Sequence, residues 1–114
     1  MFTPSNSEGF TPLIPGISIK VVGYGEKTLT AMFLLDAGSL LPLHDHVYEQ
    51  TGTLLEGEME LSIGDETFAV YPGDVWTIPP NVSHKAKVVK DSKVLEVFSP
   101  PREDYLRKVG IISD

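Results

Sequence analysis

Apolar and polar residues alternate with a period of two through much of this 114-residue chain. Ile17, Ile19 and Val21 fall on one face of a strand, with Ser18, Lys20 and Val22 on the other. Met59, Leu61 and Ile63 alternate with Glu60 and Ser62 in the same way, and Thr28 to Leu35 is a longer apolar run. Further strands are expected at Leu41 to Tyr48, Thr51 to Leu55, Thr67 to Tyr71, Val75 to Ile78, His84 to Val89 and Val94 to Ser99. Turn formers bound each run. Glu56-Gly57-Glu58 reads as a hairpin turn and Lys90-Asp91-Ser92-Lys93 as another turn. About nine or ten short strands at this spacing predict an all-β sandwich or barrel. Residues 1–16, with Pro4, Pro12 and Pro15, read as an irregular arm with room for a short strand. Helix is expected only from Arg102 to Val109, introduced by Pro100-Pro101.

Composition narrows the class. The length suits one domain with its own core. A hydrophobic share of 41% with 22% charged residues is that of a soluble globular chain. The formal net charge of −7 argues against nucleic acid as a partner. With no cysteine, a disulfide framework and a thiolate metal site are both excluded. No apolar run reaches the roughly 20 residues of a membrane span, so no membrane partner is expected. The N-terminus lacks the pattern of a signal peptide, so a cytoplasmic location is expected.

Chemistry concentrates in two blocks. Gly38 to Gly57 holds His44 and His46, spaced i, i+2, which in a strand turns both rings to one face. Gly73 to His84 ends on the third and last histidine. H-x-H with one more His on a later strand can close a three-imidazole metal site. Imidazole suits Zn, Cu, Fe and Ni, so the donors do not name the ion.

The two blocks resemble the paired motifs of the cupin superfamily. The first motif is Gly, five residues, H-x-H, three or four residues, Glu, six residues, Gly. Gly38, His44, His46, Gln50 and Gly57 fit it, with Gln in the place of Glu. Glu49 sits one residue early and on the opposite face of a regular strand. In the second motif Gly73, Pro79 and His84 fit. Asn81 stands for a glycine, which it can do where the backbone is left-handed, and Val88 stands for the closing Asn. The resemblance covers roughly residues 30–100. It implies a single jelly-roll barrel domain over residues 1–114, a short C-terminal helix and a homodimer. It also implies one divalent transition metal ion (Ni, Zn, Fe, Mn or Co) on His44, His46, Gln50 and His84. Gln50 could instead hold a water beside the ion. If Gln50 is a ligand, an all-neutral donor set leaves the ion's charge undiminished. That favours anionic small-molecule substrates and Lewis-acid polarisation.

The run E-V-F-S-P-P-R-E-D-Y-L, residues 96–106, resembles more narrowly the pectin-degradation cupins. Those proteins open 4,5-unsaturated monouronates to their linear keto form. Their Asp, Phe and Arg positions fall on Glu96, Phe98 and Arg102. The resemblance implies Glu96 as acid/base, Arg102 as carboxylate clamp and Phe98 at the substrate, and the aromatic residues Tyr48 and Trp76 are candidates to line the same pocket. Glu is one methylene longer than Asp, which moves its carboxyl group. Read alone, the same residues also suit ordinary roles: Phe98 and the aromatics as core, Glu96 on a solvated face, Arg102 as a surface charge. The expected function is enzymatic conversion of a small sugar acid. A cupin dioxygenase and a non-catalytic binding or sensor cupin are the alternatives.

Overall fold

The alternating segments become eight strands and one short helix in the computed structural model, which describes residues 1–113. The strands are β1 (Thr11–Ile14), β2 (Ile17–Tyr24), β3 (Leu29–Leu35), β4 (Leu40–His44), β5 (Glu49–Ile63), β6 (Glu66–Val70), β7 (Val75–Ile78) and β8 (His84–Ser99). The helix, α1, is Glu103–Lys108, with Arg102 and Val109 as its caps. Every strand pairing is antiparallel. The order is β1-β2-β3-β8-β5-β6, with β4 added on β8 and β7 on β5.

Two long strands organise the barrel. The first half of β5 pairs with β7 and the second half with β6. The first half of β8 pairs with β4 and the second half with β3. β5 and β8 also pair with each other along their length, so each passes through both layers of the jelly roll. The expected hairpin at Glu56-Gly57-Glu58 and the expected turn at Lys90 to Lys93 are therefore corrected. Both are bends inside continuous strands, where the register slips between Leu54 and Met59. The chain does not reverse there because Leu54 and Met59 both pair with β8, against Val94 and Val88. Gly57 has φ +103°, and a Cβ on it would lie 2.5 Å from the Asp91 carbonyl oxygen. Glycine is what allows the two bends to nest.

The alternation predicted for β2 and β5 is realised. Ile17, Ile19, Met59 and Leu61 are buried with Leu29, Phe33, Leu54, Val88 and Phe98 between the layers. Each fully buried large apolar side chain stabilises by about 1.5–3 kcal/mol before its entropy loss. Residues 11–14 of the expected arm form β1 on the edge of the sheet. Asn81 has φ +66°, in the left-handed conformation expected of it. Leu106 seats α1 on the core.

Candidate metal centre

His44 is the last residue of β4 and sits directly opposite His84, the first residue of β8. The expected strand from Leu41 to Tyr48 stops at His44, so His46 lies in the following loop. The pair does not share a strand face. The loop carries His46 back instead, and the Asn81 N–H donates to the His46 carbonyl at 2.7 Å to hold it. The ring centroids are 5.6 Å apart for His44 and His46, 4.1 Å for His44 and His84, and 5.0 Å for His46 and His84. One nitrogen from each ring lies within 4.8 Å of the others.

The tautomers follow from the backbone. Nδ1 of His44, His46 and His84 meets the carbonyl oxygens of Pro42, Tyr48 and Val82 at 2.8, 3.0 and 2.9 Å. A carbonyl only accepts, so each Nδ1 donates and each neutral ring keeps a lone pair on Nε2. His84 is 1% exposed and its Nε2 has no hydrogen-bond partner among the described residues. His46 Nε2 lies 2.6 Å from Gln50 Oε1. Two acceptors this close need a cation between them, either a proton on the ring or a metal ion. Gln50 is buried on β5 while Glu49 is exposed. The three imidazoles and the Gln50 carbonyl thus suit a divalent transition ion, and backbone-anchored rings are the usual support for one.

Around this centre a cavity of about 60 Å³ is lined by His44, Gln50, His84, Glu96, Phe98 and Arg102 among others. It has room for an ion and a few water-sized groups. Glu96 and Phe98, two residues apart on β8, both face it. Trp76 on β7 donates from Nε1 to Glu96 Oε1 at 3.0 Å, and Gln50 Nε2 donates to Glu96 Oε2 at 2.9 Å. Arg102 is not a surface charge: its side chain is 11% exposed. Its guanidinium lies 3.7 Å from the Tyr105 ring centre, 4.9 Å from Phe98 and 5.0 Å from Tyr48. Nε and Nη2 donate to the two oxygens of Asp104 at 3.2 and 2.7 Å.

Residues 31–99 match the cupin domain. The chain belongs to the cupin family. An uncharacterized protein of Streptomyces coelicolor is 34% identical to this cupin over 71 residues, 61% of this chain and 68% of the relative. Among solved structures, KdgF from Halomonas sp. superposes with a TM-score of 0.88 at 28% identity, over 93% of this chain and 98% of KdgF. An RmlC-like cupin from Shewanella frigidimarina gives 0.86 at 23% identity, over 91% and 94% of the two chains. Salicylate 1,2-dioxygenase from Pseudoaminobacter salicylatoxidans shares the fold at 16% identity, with a TM-score of 0.72 over 77% of this chain and 27% of that one.

The electrostatics of this cupin favour neutral imidazoles. Burial lowers the pKa of His46, and the Arg102 charge adds to that. Burial also lowers His84, helped by the charges of His44 and His46. Burial raises Glu96 to about 7, against the pull of its Trp76 and Gln50 hydrogen bonds and of Arg102. Burial pushes Asp104 up, but the Arg102 guanidinium outweighs it and leaves that carboxyl low. Asp104 and Tyr105 are the site residues that sequence reasoning did not single out. Tyr105 carried a signal in its spacing, i+3 from Arg102 and one helical turn on; Asp104 carried none.

Proposed function

We propose that this cupin is a metal-dependent enzyme acting on a small anionic sugar acid, opening a 4,5-unsaturated uronate to its linear keto form. The observation that carries the proposal is a cluster of three imidazoles that can hold one ion, with the Arg102 guanidinium on the cavity that His44 and His84 line. The likeness to KdgF over nearly the whole of both chains supports it, as does the match of Phe98 and Arg102 to pectin-degradation positions, with Glu96 standing where those proteins have Asp.

His44, His46, His84 and Gln50 would hold the ion, with Nδ1–carbonyl bonds fixing each ring. The ion would supply Lewis-acid polarisation of a substrate oxygen. Arg102 keeps donors that Asp104 does not use, and these would take the substrate carboxylate. Stacking on Tyr105 confines the guanidinium to that position. Phe98, buried beside His46, would give the cavity an apolar wall for the substrate. Ring opening is an isomerisation: the ring carbon–oxygen bond breaks, the anomeric hydroxyl loses a proton and carbon 4 gains one. A carboxyl group with a pKa near 7 suits such transfers, and Glu96 is the candidate. The protein would work as a homodimer in the cytoplasm.

The test is to incubate the metal-loaded protein with 4,5-unsaturated galacturonate and follow loss of the ring double bond by ultraviolet absorbance and NMR. Conversion that persists without oxygen and stops with a chelator supports the proposal. No conversion by protein shown to hold metal, or turnover only with oxygen, overturns it.

A further inference from the structure

The row of cross-strand neighbours Ala31, Glu96, Gly52 and Trp76 runs from β3 through β8 and β5 to β7. Small residues flank Glu96 on both sides. A Cβ on Gly52 would lie 2.6 Å from Nε1 and Cε2 of Trp76, so only glycine lets the indole lie flat across β5. The indole N–H thereby reaches Glu96 on the next strand at 3.0 Å. An indole N–H can only donate and an ionised carboxylate can only accept. The second Glu96 oxygen then takes the Gln50 amide N–H at 2.9 Å. The end of Gln50 left over, facing the histidines, is the carbonyl oxygen.

We propose that Glu96 is a positioning residue that fixes which end of the Gln50 amide faces the three histidines, and that Trp76, lying across Gly52, fixes Glu96. The proposal rests on the metal-centre reading. An amide turned the other way would aim two N–H groups at the site, offering no lone pair and repelling a cation. The carboxylate accepts whichever way it turns; Trp76 holds it in place and would set the direction of any amide put there.

The probe is zinc ion, titrated by competition with a chelating dye, with circular dichroism and zinc-free melting to check the fold. In Glu96→Gln the oxygen must face the Trp76 N–H, so its NH₂ faces Gln50 and forces that amide to turn. Zinc affinity should fall about 10–100-fold, as for other groups that orient a ligand. Trp76→Phe alone leaves the carboxylate as acceptor and should change affinity less than about threefold. The double variant Trp76→Phe, Glu96→Gln frees the new amide to turn, so it should bind zinc more tightly than Glu96→Gln. Unchanged affinity in Glu96→Gln overturns the proposal. So does a double variant no tighter than Glu96→Gln, since lost charge alone would then explain the effect. Equal zinc binding by wild type and His44→Ala, His84→Ala would bring down the metal-centre reading itself. In wild type, the Gln50 side-chain NH₂ should be protected from hydrogen exchange. Rapid exchange there overturns the proposal even if Glu96→Gln does not fold.

Discussion

At the scale of single residues, the site depends on lone pairs delivered to one point. His44→Ala, His46→Ala or His84→Ala should each lower metal affinity by more than the roughly 10–100-fold expected for an orienting neighbour, and Gln50→Ala by less than any of them. Metal content after dialysis, by elemental analysis, checks this order. Arg102 makes a second prediction. Arg102→Ala should weaken a carboxylate ligand by about 2–5 kcal/mol and its amide analogue hardly at all, with partial recovery in Arg102→Lys. Calorimetric titration with galacturonic acid and galacturonamide reads the difference, and equal losses would exclude a clamp. The three-histidine cluster was legible because the chain has only three histidines and all fall on the paired motifs. The shared strand face expected for the H-x-H pair does not exist, since β4 ends at His44. Sequence spacing does not show that a backbone bond from Asn81, in a distant turn, holds His46 in place. Asp104 was likewise hidden, because its role exists only once Arg102 has turned inward.

At the scale of elements, period-two alternation revealed the strands but not their continuity. Gly57 and Asp91-Ser92 carry ordinary turn chemistry, and nothing local separates a reversal from a bend shared by two strands. The difference lies in pairing across the barrel, where Ser92 Oγ accepts from the Glu58 N–H at 3.2 Å and donates to the Lys90 carbonyl at 2.7 Å. Gly57→Ala should therefore destabilise by more than the about 1–3 kcal/mol of a strained φ alone, because its Cβ also meets backbone. Denaturant unfolding measures it; a loss under 1 kcal/mol would show that the bend relaxes easily. Helix α1 was legible from the two prolines before it, and its end charges, Glu103 and Asp104 in the first turn and Arg107 and Lys108 in the last, suit the helix dipole.

At the scale of the whole molecule, pH and metal act together. His46 and His84 have folded pKa values below their ordinary 6.5, so the unfolded chain takes up protons first and their contribution to stability is lost as pH falls below 6.5. Glu96 acts in the opposite sense: its stabilisation is full below 4.5 and is lost as pH rises through about 7. Metal-free protein should thus change little in melting temperature between pH 7.5 and 6. The rise on adding zinc should shrink steadily below pH 6.5, because bound rings must be neutral. Melting curves with zinc and with chelator check both, and a zinc effect independent of pH would exclude histidine ligation. Leu34, Val97 and Val75 are exposed on one outer face of β3, β8 and β7. Light scattering should give a dimer mass, and Val97→Glu should shift it toward monomer. The pairing of β5 with β8 has a consequence in time. Gln50 and His84 sit at the starts of strands that meet only when distant parts of the chain have found each other. An ion bound there would then be captured at the end of folding, not at its start. Zinc should slow unfolding and leave the folding rate nearly unchanged.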